Sequence, residues 1–130
     1  MNTQLLKDRL TIVIPCKNEG VNIYECLGFI SKQRGIAGTR VIISDNSDDE
    51  ESLRWIYQTE SDYKYSLKIE VIEGGFPAQA RLNGSKLVTT PYMLFLDADI
   101  MLFKQGLLET VVEYEKDLVT VPFETETGFN

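Results

Sequence analysis

The sequence contains no histidine, and this absence excludes several classes of active site. A Ser-His-Asp or Cys-His site, an HExxH zinc helix and an imidazole general base all need that side chain. Any bound metal must therefore be held mainly by oxygen, which favours Mg²⁺, Mn²⁺ or Ca²⁺. The phosphate loops GxGxxG and GxxxxGKS/T are also missing, which argues against a dinucleotide dehydrogenase or a P-loop enzyme.

Cysteine is scarce, since Cys16 and Cys26 are the two in the chain and show no CxxC spacing. With no histidine to activate them, we interpret both as inert, reduced thiols of a cytosolic protein. The segment Met1 to Arg9 lacks the apolar region of a signal peptide, and no apolar run approaches the roughly 20 residues of a membrane helix. We therefore expect a soluble, cytoplasmic chain, with peripheral attachment to a membrane left open.

Basic residues are outnumbered, with 13 Lys and Arg against 20 Asp and Glu and a net charge of -7. Binding along a nucleic-acid backbone needs a basic stripe, so no nucleic-acid partner is expected. Hydrophobic residues make up 43% and charged residues 25% of the 130 residues, which is an ordinary globular balance. The length predicts one domain spanning residues 1–130.

Apolar runs alternate with helical apolar patterns along the whole chain. Two predicted helices carry apolar faces, at Ile23, Leu27 and Ile30, and at Leu53, Ile56 and Tyr57. Two further helices are predicted from Pro77 to about Leu87 and from Leu107 to Tyr114. The strands between them are predicted at 10–15, 41–45, 67–72 (at a sheet edge), 92–96 (the most apolar) and 118–123. This order predicts an α/β fold with a Rossmann-like, mostly parallel sheet and helices on both faces.

Polar residues or glycines follow each of the first four predicted strands, where an open parallel sheet binds its ligands. The Asp97-Ala98-Asp99 triplet is the most informative of these segments. If strand geometry persists, its carboxylates share one face, roughly 6 to 7 Å apart. Such a pair suits Mg²⁺, which binds one or two carboxylates together with substrate phosphates. A solvated turn before a helix is the alternative.

Other strand-end residues have two interpretations each. Asp45 can hydrogen-bond a base or a ribose, or it can form an Asx turn leading into a Ser47–Glu50 capping box. Gly74 and Gly75 allow close approach of a phosphate, or they form a plain turn. Arg81 is a phosphate ligand or a surface ion pair. The acids from Asp48 to Glu51 fit the first turn of a helix and receive no site role.

Taken in order, four segments resemble the nucleotide-sugar-binding half of a GT-A fold glycosyltransferase of family 2. The opening Thr11 to Glu19 resembles that family's first strand with its Asn-Glu, and Val41 to Ser47 its second strand with an Asp. Ala80 to Gly84 resembles the Ala-Arg-Asn-x-Gly stretch, although Leu82 separates Arg81 from Asn83. Leu96 to Asp99 resembles the DxD metal motif. The resemblance covers about residues 10–125.

The resemblance implies a metal-dependent enzyme that takes a sugar from a nucleoside diphosphate. It places Glu19 and Asp45 around the nucleoside, Arg81 near the nucleotide, Asp97 near ribose and metal, and Asp99 on the Mn²⁺ or Mg²⁺. Lys17 stands where many members have Tyr. The residues expected to bind the donor are Pro15, Lys17, Glu19, Asp45, Gly74, Gly75, Arg81 and Asp97, and those expected to bind the metal are Asp97 and Asp99.

The largest departure from the family is length. In such enzymes a second half binds the acceptor and supplies the catalytic base, and here Glu124 and Glu126 are the only acids after the last predicted strand. No residue is therefore assigned as the base. A uridine-diphosphate sugar is the first donor to consider, and the acceptor is an unknown glycan, lipid or protein. The alternative is a nucleotide-binding module, or degenerate transferase, that makes no product.

Overall fold

A computed structural model describes residues 5–115, 124–125 and 128–129. Helices alternate with strands in the predicted order, and the predicted strand at 118–123 lies outside the described residues. The elements are α1 (Leu6–Arg9), β1 (Leu10–Cys16), α2 (Asn22–Ser31), β2 (Thr39–Asp45), α3 (Glu50–Tyr63), β3 (Leu67–Glu73), α4 (Pro77–Ser85), β4 (Tyr92–Phe95), α5 (Leu107–Glu113), β5 (Glu124–Thr125) and β6 (Gly128–Phe129).

Strands β1 to β4 form a parallel sheet in the order β3-β2-β1-β4, while β5 and β6 pair separately as an antiparallel hairpin. The parallel sheet confirms the predicted fold class, and β3 lies at an edge as its alternating pattern predicts. Cys16 pairs with Asp45, and Asp45 pairs with Glu73. The carboxyl ends of these three strands therefore lie side by side.

The main core lies on one face of the sheet. Ile12 and Ile14 of β1 point into it and are fully buried. The predicted apolar face of α2 is confirmed, because Ile23, Leu27 and Ile30 are also fully buried in this cluster. Ile56 of α3, with Leu108 and Val112 of α5, completes the layer. These helices therefore fix β1 at the centre of the sheet.

Helix α4 covers the opposite face, where it packs on β1 and β2. Its Gly84 is buried and lies directly against Val13, so that a Cβ atom at position 84 would overlap Val13 Cγ1. Pro77 occupies the first turn, as predicted, because proline needs no partner for an N–H there. Helices thus cover both faces, and no helix of the described part is long and apolar enough to cross a membrane.

The predicted strand at 92–96 is the most apolar one, yet the structure does not bury it deeply. Strand β4 ends at Phe95, and Met93 and Phe95 are 41% and 44% exposed. The reason is positional: their side chains lie on the face of α4, but that helix sits over β1 and β2 rather than over β4. The apolar composition of this segment predicts that it forms a strand, but it does not predict which neighbouring element buries its side chains.

The predicted start and apolar stripe of α3 also need correction. Asp49, not Ser47, caps the helix, since its carboxylate accepts a hydrogen bond from Ser52 N at 2.6 Å. The buried positions are Ser52, Ile56 and Thr59. Leu53 and Tyr57 follow these positions by one residue, which rotates them about 100° round the helix, and they are 37% and 73% exposed.

The predicted helix at 107–114 is shorter than expected by one residue. It ends at Glu113, and Tyr114 lies beyond it with 60% of its surface exposed.

Candidate functional site

Loops at the carboxyl edge of the sheet surround a cavity of about 340 Å³. That volume lies in the range of natural ligand pockets, which begins at about 300 Å³. Most of the predicted site residues line it: Pro15, Lys17, Glu19, Gly75, Arg81, Asp97 and Asp99. The other four lining residues are Cys16, Pro77, Ala80 and Ala98. They have no predicted site role, because none of them carries a charged side chain.

Asp45 and Gly74 are predicted site residues that do not line this cavity. Asp45 forms the Asx turn, because its Oδ1 accepts hydrogen bonds from Ser47 N at 3.1 Å and Ser47 Oγ at 2.7 Å. Gly74 allows close approach of backbone rather than of phosphate: a Cβ there would lie 2.8 Å from the carbonyl oxygen of Ser44. Both residues therefore shape the neighbouring strand ends.

The DxD segment is a turn, so the condition that strand geometry persists through it is not met. Ile100 N donates to Asp97 O at 3.1 Å, which closes the turn just after β4. The side chain of Ala98 is buried in the core, whereas Asp97 and Asp99 are exposed. The small apolar residue anchors the turn, and both carboxylates remain available to a ligand.

Arg81 reaches across from α4 to the DxD turn, where Arg81 Nη2 donates to Asp97 Oδ1 at 3.3 Å. The two side chains are 41% and 61% exposed, and ion pairs that exposed contribute little stability. Asn83, two residues further along α4, donates to Gly74 O at 3.0 Å. Asn83 therefore holds helix α4 against the loop after β3. The guanidinium group of Arg81 on the same helix can leave Asp97 for another partner at little cost in free energy.

Glu19 presents a polar atom that lacks a partner. Its Oε2 is buried, yet it accepts no hydrogen bond from any residue that the structure describes. A buried, unpaired carboxylate oxygen costs free energy unless a donor or a cation satisfies it. Since Glu19 lines the cavity, a ligand there could supply that donor.

Two buried thiols lie beside these acids. Burial raises the pKa of the Cys16 thiol to about 12, with smaller contributions from the carboxylates of Asp45 and Glu19. The pKa of Cys26 is also raised to about 12, again mainly by burial. Both thiols are free and stay protonated near neutral pH, which agrees with the expectation that they are inert.

The described residues contain no cluster of three or more His, Cys, Asp or Glu side chains placed to hold a metal ion. The DxD turn by itself offers two exposed carboxylates. These all-oxygen donors fit Mg²⁺ or Mn²⁺ in chemical character, but an octahedral ion would need further ligands such as phosphate oxygens and water. The residues present therefore fit such a cation only together with a ligand.

An open parallel sheet with a polar cavity at its carboxyl edge is typical of nucleotide-binding α/β proteins. The model of glycosyl transferase family 2 matches residues 11–124. The chain belongs to that family, and its Rossmann-like sheet is of the GT-A type.

One curated relative and two solved structures illustrate the similarity. The chain is 33% identical over 93 residues to a teichoic acid poly(glycerol phosphate) polymerase of Staphylococcus epidermidis, an alignment covering 71% of this chain and 13% of that protein. The structure of residues 1–349 of S. aureus TarS in complex with UDP matches with a TM-score of 0.69 and 19% identity, covering 82% of this chain and 31% of that one.

The mannosyltransferase PcManGT from Pyrobaculum calidifontis, in complex with GDP-Man and Mn²⁺, matches with a TM-score of 0.67 and 23% identity. That match covers 84% of this chain and 32% of the mannosyltransferase chain. Likenesses at these identities show a shared fold. The chain spans less than a third of each of these solved chains and a smaller part of the curated relative.

Proposed function

We propose that residues 1–130 are the donor-binding half of a metal-dependent glycosyltransferase and hold a nucleoside-diphosphate sugar in the cavity. The observation that carries this proposal is the convergence of Glu19, Arg81 and Asp99, from three separate motifs, on one cavity. The proposal includes a cytoplasmic location, which the free state of both cysteines supports.

The charges around the cavity fit a diphosphate that binds together with a divalent cation. Lys17 and Arg81 supply two positive charges, and Glu19, Asp97 and Asp99 supply three negative ones. A diphosphate adds further negative charge, so it would be repelled unless a cation accompanied it. Arg81 can turn from Asp97 to a phosphate oxygen, because guanidinium groups bind phosphate through paired N–H donors.

Asp97 and Asp99 would hold Mn²⁺ or Mg²⁺ once diphosphate oxygens are present. The ion would supply charge neutralisation for the departing diphosphate. The Mn²⁺ in the mannosyltransferase structure supports this choice of metal.

The nucleoside would lie at the ends of β1 and β2, near Pro15, Lys17 and Glu19. The unpaired oxygen of Glu19 would accept a hydrogen bond from it, and the nucleoside would extend beyond the cavity to the second carboxylate oxygen of Asp45 at the neighbouring strand end. Gly75 has a φ of 94°, a backbone conformation that glycine adopts without strain. Because glycine has no side chain, this position also leaves room for the ligand in the cavity. Uridine diphosphate is the first nucleotide to test, and the UDP complex of TarS supports that choice.

One observation favours a second function, nucleotide binding without transfer. The acids that line the cavity are Glu19, Asp97 and Asp99, and the proposal already uses all of them for donor and metal. Among the described residues that line the cavity, no further acid is left to act as a base toward an acceptor, whether a glycan, a lipid or a protein. Donor binding without hydrolysis or transfer would be the result expected for this second function.

Calorimetry tests the proposal with UDP, GDP and dTDP, each with and without Mn²⁺. We expect at least one nucleotide to bind, and to bind more tightly with the metal. Arg81→Gln should weaken that binding, since it removes a charge but keeps most of the side chain, whereas Arg54→Gln on α3 is a matched control. Absence of binding by all three nucleotides at millimolar concentration would rule the proposal out.

A further inference from the structure

Asn18, in the loop after β1, has an unusual backbone conformation. Its φ is 52°, one of two positive values among the described residues other than glycine. This left-handed region is strained for most side chains but is tolerated by asparagine. The conformation turns the Asn18 side chain toward the loop between β2 and α3.

The Asn18 side chain bonds that second loop in both directions. Asn18 Oδ1 accepts from Asp48 N at 2.9 Å, and Asn18 Nδ2 donates to Asp48 Oδ1 at 2.9 Å. Asp48, 30 positions away, thus bonds both the acceptor and the donor of the amide, and Asp49 N also donates to Asn18 Oδ1 at 3.4 Å. Backbone pairing of β1 and β2 ends with the bond from Asn46 N to Cys16 O at 2.9 Å, and the Asn18–Asp48 contact continues the connection into the two loops.

The backbone of Asn18 is also linked, through the Ser47 hydroxyl, to the predicted site residue Asp45. Asn18 N donates to Ser47 Oγ at 2.9 Å, and Ser47 Oγ donates to Asp45 Oδ1 at 2.7 Å. One face of the Asp45 carboxylate is therefore fixed through a hydroxyl that Asn18 orients. On the other side of Glu19, Gly20 N donates to Ser52 Oγ at 2.9 Å. Glu19 lies between these two ties.

We propose that Asn18 is a positioning residue, which sets Glu19 and Asp45 for the nucleoside by clamping the loop after β1 to the loop after β2. This inference rests on the proposed function, since it assigns a role at the same site. Asn18 itself does not line the cavity, so it acts through its neighbours rather than on the ligand. Asp48 is the other half of the clamp.

The first test removes the amide but keeps the backbone. Glycine adopts a positive φ without strain, so Asn18→Gly isolates the loss of the three side-chain hydrogen bonds that Asn18 makes with Asp48 and Asp49. We expect about tenfold weaker binding of UDP, or of whichever nucleotide the unmodified protein binds, with the protein still folded and its melting temperature lowered by only several degrees. Equal affinity in Asn18→Gly and the unmodified protein would overturn the inference and leave the proposed function intact. No nucleotide binding by the unmodified protein would overturn both.

A swap of the paired groups provides a rescue. Asn18→Asp places a carboxylate against the Asp48 carboxylate and should weaken nucleotide binding at least as much as Asn18→Gly. Combining it with Asp48→Asn restores a donor opposite an acceptor, and should return the affinity to within about threefold of the original. A double variant as weak as Asn18→Asp alone would show that the pairing does not position the site.

Double-variant cycles separate positioning from general loss of structure. Asn18→Gly should add clearly less than its full effect to Asp45→Ala, because one of the two residues that it positions is already gone. It should add its full effect to Asp99→Ala, because the DxD turn lies beyond β4, on the other side of β1. Full additivity with both variants would contradict the inference, because a merely structural residue would behave in that way.

Discussion

At the scale of single residues, the most direct prediction is that the exposed carboxylate of Asp99 binds the divalent metal ion. Two carboxylates alone form a weak site for an ion that prefers octahedral oxygen, so diphosphate and metal should raise each other's affinity by the same factor. We expect Asp99→Ala to remove most of that coupling, measured by nucleotide titration with and without Mn²⁺.

Glu51→Ala is the matched control, since Glu51 is an exposed acid in the first turn of α3. Asp48 would be a poorer control, because it bonds Asn18. Equal nucleotide affinity with and without Mn²⁺ in the unmodified protein would show that the DxD segment is only a turn.

The buried thiols make a prediction about pH. The pKa values of Cys16 and Cys26 rise from 9.0 in the unfolded chain to about 12 in the folded one, so above pH 9 the folded state holds more protons. The free energy of unfolding should therefore fall as pH rises from 9 to 12, by up to about 1.4 kcal/mol per pH unit for each thiol. Denaturant titrations at pH 8 and pH 10 measure this decrease.

The Cys16→Ala, Cys26→Ala double variant tests the cause. It should be less stable at pH 8, because small cavities form, but its stability should fall less between pH 8 and pH 10. A double variant with the same pH dependence as the unmodified protein would exclude the thiols as the source. Intact protein should also resist alkylation at pH 8, since it holds few thiolates.

The candidate site shows which residues and contacts can be predicted from the sequence and which cannot. Glu19, Arg81 and Asp99 line one cavity, and their convergence can be predicted because each lies at a strand end or in a recognisable motif. Asn18 was missed as a contact of Asp48, although it stands in the Asn-Glu segment, because a side chain that bonds a loop 30 residues away leaves no local pattern. Ser47 was misassigned as a cap because Asp49, two residues later, competes for the same role.

At the scale of elements, the contact between α4 and β1 holds Arg81 at the cavity. A methyl group on Gly84 would overlap Val13 Cγ1, so that the fully buried Val13 or the helix would have to shift. Gly84→Ala gains about 1 kcal/mol of helix propensity, but overpacking costs about 1 to 3 kcal/mol. We expect net destabilisation, with weaker nucleotide binding as α4 shifts, measured by denaturant unfolding and calorimetry.

The sign of this effect should depend on Val13. In a Val13→Ala background the clash is absent, so Gly84→Ala should become neutral or stabilising. Ser85→Ala, on a neighbouring half-buried position of the same helix, is the control that should not depend on Val13. A destabilisation of equal size in both backgrounds would show that Val13 is not the cause.

The order of elements and the parallel sheet could be predicted because apolar runs and helical periods alternate regularly. The exposure of β4 and of Tyr57 could not, because it depends on where α4 and α3 lie over the sheet. Val13 and Met93 are both apolar strand residues on the same face, yet α4 covers the first and leaves the second exposed. Periodicity predicts which face of an element is apolar, whereas tertiary placement decides how much of that face is buried.

At the scale of the whole molecule, the net charge of -7 opposes the approach of a nucleotide polyanion. Part of this repulsion is screened at ordinary ionic strength, where the Debye length is about 8 to 10 Å. The local cations Lys17 and Arg81, together with a divalent ion, must overcome the remainder. Nucleotide binding should therefore stabilise the entire domain much more when the metal is present than when it is absent.

Thermal unfolding tests this last prediction. A ligand that binds only the folded state contributes about 2.7 kcal/mol at a concentration one hundred times its Kd. With an unfolding entropy of roughly 2.1 cal/mol/K per residue, that contribution should raise the melting temperature of this 130-residue chain by about 10 °C. Mn²⁺ alone or UDP alone should give much smaller shifts at the same concentrations, because neither completes the other's coordination. Asp99→Ala should reduce the combined shift to that of UDP alone, while Glu51→Ala should keep it. If Mn²⁺ alone produced the full shift, the ion would be bound by the protein without diphosphate, contrary to a site built from two carboxylates and a phosphate.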